Sequence, residues 1–269
     1  MRDQLQVAFR INGERLAILG WSRAILMQLA HPLIAAGVFD HSGFRASPIA
    51  AVSRLYHTTQ AMLAITFGDA QRQGAAIDGI RRIHTRVNGT LPTPVGPFPA
   101  GTPYSAEDPS LLLWVHATLL ESMVLIYEQL VGPLSAADRD RYCAESVPPS
   151  VALGMREAEA PRTWHELETY LQRMENSGTI VVGPQARQLA DAILRTSIPA
   201  VLAPARAIPG LITAALLPPR IRQEYGLPWS EDRQRRFDRL ASLTRRMRRV
   251  TPRALALFAD ARDVESRRG

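Results

Sequence analysis

Six histidines (His31, His41, His57, His84, His116 and His165) and one cysteine, Cys143, are the residues of this chain best suited to acid–base, nucleophilic or metal chemistry. Three of the histidines fall in segments that read as buried helix. His31 sits between Ala30 and Pro32, His84 follows Arg81-Arg82-Ile83, and His116 lies inside LLLWVHATLL. A neutral imidazole in such a place needs a hydrogen-bond partner or a metal, because an unsatisfied buried polar group costs about 1–3 kcal/mol. Taken singly, each reads as a hydrogen-bonded core histidine. A polar stripe adds a second candidate: Arg54 and Thr58, at i and i+4, share one helix face with His57 beside them. A cation in mid-helix among Ala51, Val52, Leu55 and Met62 requires a partner. That partner is an anionic cofactor group or bound oxygen species on one reading, and an ordinary carboxylate or solvent on the other.

Many chemistries are excluded by what the sequence lacks. One cysteine rules out a disulfide framework and a multi-cysteine zinc site. There is no H-E-x-x-H, no E-x-x-H pair and no Asp-rich loop, which leaves zincin and di-iron carboxylate chemistry without support. Glycine-rich phosphate loops are missing, and DHSGF around Ser42 lacks the first glycine of a nucleophile elbow. What survives is a single histidine-ligated cofactor held among helices. Haem is the natural candidate, since one axial imidazole and an apolar helical pocket suffice to hold it.

The elements that must position these residues are helical almost throughout. Trp21–Val38 is apolar with only Arg23 charged, a buried helix kinked or broken at Pro32. Ser47-Pro48 opens a helix to about Phe67, and Asp69 caps the next, which carries IDGIRRIHTRVNG to Gly89. A loop dense in proline and glycine follows. Asp108-Pro109 then starts the longest apolar helix, which ends at Gly132. Capping boxes appear at Ser135–Asp138 and Thr163–Glu166, and residues 184–195 read as a short amphipathic helix. Only Thr179–Val182 approaches a strand pattern. The expectation is an all-α, single-domain helical bundle over residues 1–269.

Composition is that of a soluble globular chain: 269 residues, 46% hydrophobic and 21% charged, without disorder signatures. The net charge of +7 comes entirely from arginine, there being no lysine. Residues 233–253 hold most of the excess, read as the solvated face of an amphipathic helix, and no nucleic-acid partner is expected. The N-terminus lacks a secretory pattern, which points to a cytoplasmic protein. Residues 199–219 are nearly long enough to span a bilayer, but prolines at 199, 204, 209, 218 and 219 interrupt them. Two short core helices are expected there, with peripheral membrane contact as the alternative.

The segments QLAHPLIAAGV–HSGF, RLYHTTQAMLAITFG, IRRIHTRVNG and PYSAEDPSLLLWVHATLLESM, in that order, resemble the catalytic domain shared by MpaB-type oxygenases and rubber oxygenases (latex-clearing proteins). The likeness is strongest over residues 16–146, with 147–269 as C-terminal helices. It implies a globin-like helical core that binds a b-type haem iron and uses dioxygen on a hydrophobic, isoprenoid-like substrate. It places the proximal iron ligand on His84, distal polar residues on Arg54 and Thr58, and a further polar pocket residue on His116. His31 is a further candidate for cofactor contact. Rubber oxygenases have a lysine where this chain has His57. An inward His57 would ligate the iron opposite His84, giving a non-catalytic haem-binding or sensing protein; an outward one leaves the oxygen site open. Pocket walls are expected from Leu29, Leu63, Leu112, Leu119 and Met123.

Overall fold

A computed structural model describes residues 6–42, 48–196 and 203–266. The fold is all-α. Its helices run α1 (Gln6–Asn12), a 3₁₀ turn (Arg15–Gly20), α2 (Trp21–Leu29), α3 (Pro32–His41), α4 (Pro48–Phe67), α5 (Ala70–His84), α6 (Pro109–Leu130), α7 (Ala136–Ala152), α8 (Trp164–Asn176), α9 (Pro184–Thr196), α10 (Ala203–Leu216), α11 (Pro219–Glu224), α12 (Glu231–Val250), α13 (Arg253–Ala256) and α14 (Ala259–Ser266).

The helix boundaries follow local chemistry. Pro32 breaks the first apolar segment, so the chain turns by 110° between the Arg15–Leu29 run and α3. Asp69 Oδ1 accepts the Arg72 N–H at the start of α5, and Asp108 Oδ1 accepts the Ser110 N–H at the start of α6. Both capping boxes form, Ser135 with Asp138 and Thr163 with Glu166.

Two expectations are corrected. Helix α5 stops at His84 rather than Gly89, because Asn88–Thr90 (β1) pairs antiparallel with Pro103–Ser105 (β2) across the proline-rich loop. Gly89 permits that pairing, since a Cβ there would lie 2.5 Å from the Tyr104 hydroxyl. In the 199–219 segment, α10 runs through Pro209 as one helix instead of breaking there. It packs against α2 and α12 and buries Ile212, Thr213 and Ala214, which offsets the cost of the lost hydrogen bond.

Helix α6 is the central column. It is long and apolar enough to cross a membrane, but 67% of its apolar window is buried inside the fold. Trp114 Nε1 donates to the Met27 carbonyl of α2. Arg23, 1% exposed, reaches from α2 to both α6 and α10. Its Nη2 meets Glu121 Oε2 at 2.7 Å, its Nη1 meets Ser122 Oγ at 2.6 Å, and its Nε donates to the Leu216 carbonyl ending α10. Desolvating a guanidinium is costly, and only this full set of partners makes the site tenable. Arg23→Leu is expected to lower unfolding free energy by about 3–5 kcal/mol, read from urea midpoints, since it strands Glu121. Adding Glu121→Leu should recover part of that loss.

Candidate functional site

A cavity of about 400 Å³ opens between the α2–α6 wall, α7, and the α4–α5 pair. Its size falls in the range of roughly 300–1,000 Å³ typical of small-molecule and cofactor sites. The walls are mostly aliphatic, with Ile25, Met62, Ile80, Leu119 and Met123 prominent.

Helix α5 supplies one side through Gln73, Ile77, Ile80 and His84, which recur at helical spacing along one face. No residue of α5 is fully buried, so this helix lies over the cavity as an outer cover packed on α4. His84 is half-buried at its last turn, with Nδ1 shielded from solvent. Helix α4 brings two neighbouring hydroxyls: Thr58 is exposed at the mouth, and Thr59 is buried.

His116 enters from α6. Ser150 Oγ of α7 lies 2.7 Å from its Nδ1 and 3.2 Å from the Ser146 carbonyl. The serine has one proton, so both contacts are hydrogen bonds when the hydroxyl donates to Ser146 and Nδ1–H donates to Ser150. That tautomer leaves a lone pair on Nε2, which is buried without a hydrogen-bond partner. Burial holds the imidazole pKa down at about 4, so the ring is neutral across the physiological range. A neutral, oriented imidazole with a bare nitrogen is equipped to accept a hydrogen bond.

The sequence candidates therefore separate. His84, His116 and Thr58 line one cavity. His31 does not: its Nδ1 accepts the Leu33 N–H as the N-cap of α3, and its ring lies 5.4 Å from that of Phe98. His57 is exposed, its ring against Tyr56 rather than on the cavity wall. The Arg54 side chain lies outside the described residues. Leu63, Leu112, Leu119 and Met123 are wall residues as expected, whereas Leu29 packs in the main core. Sequence reasoning missed Ser150, Tyr142 and Glu145, all from α7. Glu145 Oε2 accepts the Val7 and Ala8 N–H groups, fixing α1 on the cavity's far side. A half-buried carboxylate capping a distant helix leaves no local sequence signal. Among the described residues no three His, Cys, Asp or Glu side chains converge as a metal-binding group; a haem requires only one imidazole.

Residues 10–246 match the profile of the family described as ER-bound oxygenase mpaB/B'/Rubber oxygenase, catalytic domain. Two mycobacterial relatives, the uncharacterized proteins Mb2261 of Mycobacterium bovis and Rv2237 of Mycobacterium tuberculosis, are each 29% identical over 245 residues. Each alignment covers 87% of this chain and 89% of the relative. No solved structure matches significantly.

The two buried rings make acid stability a direct test. Burial lowers the pKa of His31 and of His116 from 6.5 to about 4. Between those values the unfolded chain binds protons that the folded chain refuses. The contribution is therefore complete above about pH 6.5 and is lost as pH falls toward 4, by roughly 3 kcal/mol per ring. His116→Phe should flatten the pH dependence of the urea midpoint in that window by about half of the histidine contribution, while Ser150 keeps its bond to Ser146.

Proposed function

The chain belongs to the catalytic-domain family of the MpaB-type and rubber oxygenases, and we propose that its cavity binds a b-type haem, making the protein a haem-dependent oxygenase. Dioxygen is the co-substrate, and the organic substrate is a small hydrophobic, isoprenoid-like molecule. One observation carries the reading: His84 and His116, on separate helices, line the same aliphatic cavity.

The residues present suit the group. A flat apolar macrocycle needs aliphatic walls, which Ile25, Met62, Ile77, Ile80 and Leu119 provide. Its iron needs one imidazole, and His84 is the residue to supply it. When bound, a haem contributes the one-electron chemistry that lets dioxygen react with a closed-shell organic molecule.

This chain's own side chains do the rest. The walls exclude water and hold a hydrophobic substrate by apolar contact. Thr58 and Thr59 offer hydroxyls where polar atoms need orienting. Arg54, one turn before Thr58 on α4, is the candidate cation for a carboxylate of the cofactor or for developing negative charge. His116, neutral and held by Ser150, presents Nε2 as a hydrogen-bond acceptor of fixed orientation to a group bound in the cavity.

The exposed position of His57 favours the open-site reading over bis-histidine ligation. The purified protein supplied with haemin should develop a Soret band. His84→Ala should lose it or shift it while keeping its helical circular dichroism. His57→Ala should leave the band and spin state unchanged. Absence of haemin uptake by the wild type, or a band indifferent to His84→Ala, would overturn the proposal.

A further inference from the structure

Helix α12 faces the protein with Phe237 and Ala241, which pack on Ile126 and Leu130 of α6 and Ile212 of α10. Its other flank carries Arg236, Arg239, Leu243, Arg246, Met247 and Val250, all exposed. At about 100° per residue these six fall within an arc of about 100°. Leu243 and Met247 are each 57% exposed, Val250 is 82% and Leu255, just beyond the helix, is 65%. Most of the strongly exposed large hydrophobics among the described residues thus gather in one short stretch, which marks an interaction surface rather than scattered surface leucines.

The charges around this row are uncompensated. Arg235 pairs with Glu231 and Asp232, and Arg248 is bidentate to buried Glu14. Arg236, Arg239, Arg246 and Arg249 have no carboxylate within ion-pair distance among the described residues, and Asp238 is engaged by Gln234. The result is an aliphatic ridge fringed by free guanidiniums.

We propose that this ridge docks on an anionic lipid bilayer, the aliphatic side chains entering the acyl boundary and the arginines resting on lipid phosphates. An interfacial helix needs this combination: large apolar residues on the inserting face with cations beside them. A second copy of the chain fits poorly, because a two-fold pairing would set eight unpaired guanidiniums against one another. A nucleic acid would take the arginines but leave the four aliphatic side chains facing water and phosphate.

The segment that follows the ridge reaches the cavity wall. The chain after α12 returns to the α1–α2 corner, where Phe258 N–H donates to the Gly13 carbonyl and Arg15 Nε to that of Leu257. Phe258 and the partly exposed Ile18 both line the cavity. The docking itself stands on the surface alone, whatever the cavity binds.

The test is co-sedimentation of the full chain with phosphatidylcholine vesicles, with and without phosphatidylglycerol. Wild type is expected to bind the anionic vesicles at least tenfold more tightly than the neutral ones, and to release as salt rises. Met247→Asp should weaken that binding about tenfold or more by placing a charge on the inserting face. Arg236→Gln with Arg239→Gln and Arg246→Gln should weaken it about a hundredfold, at roughly fivefold per arginine. All four positions are exposed, so thermal melts should match wild type. No vesicle binding by wild type overturns the proposal. So does vesicle binding that Met247→Asp leaves intact, tighter binding to single- or double-stranded nucleic acid that the same variant leaves intact, or a stable dimer that it dissolves.

Discussion

A guanidinium removed from water dictates where the central helices of this protein can stand. Arg23 donates in three directions, to a carboxylate and a hydroxyl on α6 and to the Leu216 carbonyl that ends α10. Moving any one of the three helices would leave a charged donor buried without an acceptor, a penalty of several kcal/mol in a fold whose whole margin is about 5–15 kcal/mol. Together with Trp114 donating to Met27, this fixes the angle between α2 and α6. Those two helices form one wall of the cavity, so the polar lock behind the wall sets the shape of the apolar surface in front of it.

The same logic explains His116. It lies on that locked wall, and its partner Ser150 comes from α7, a helix also tied to α1 through Glu145 and through Tyr142, whose hydroxyl donates to Asn12. A ring buried this deeply stays neutral, and one held through Nδ1 presents a fixed Nε2. Burial, tautomer and orientation are three consequences of one packing arrangement. Mid-helix placement in an apolar run is what made the residue conspicuous in the sequence. Its meaning depends on Ser150, a residue with no conspicuous context at all.

Legibility tracked the range of the interactions involved. Capping at Asp69, Asp108, Ser135 and Thr163 acts over two or three residues, and each helix begins where those residues direct. The break at Pro32 is equally local. Where distant partners intervene, local rules lose. The turn at Gly89 belongs to a strand pair made with Pro103–Ser105, and Pro209 is carried inside α10 because Ile212 and Ala214 are buried against neighbouring helices. The histidines divide the same way. Spacing alone treats His31 and His116 as similar buried rings, yet one satisfies its own helix terminus and the other looks to α7. The family resemblance singled out His84, Arg54, Thr58 and His116; of these the fold brings His84, Thr58 and His116 to one cavity, and the Arg54 side chain lies outside the described residues.

The two cavity histidines sit on elements of opposite character. His116 rides on the most deeply buried helix, held by partners on two sides, whereas His84 ends a helix with no fully buried residue, laid over the cavity and packed on α4. That division suits the roles proposed for them. A hydrogen-bond acceptor works only at a fixed distance and orientation from the group it serves, so it belongs on the rigid wall. A metal-bound imidazole is positioned by the bond it forms, and the covering helix can settle around a large flat cofactor without disturbing the core. The proposed cofactor ligand therefore stands on the α5 cover, and the fixed imidazole acceptor stands on the α6 wall.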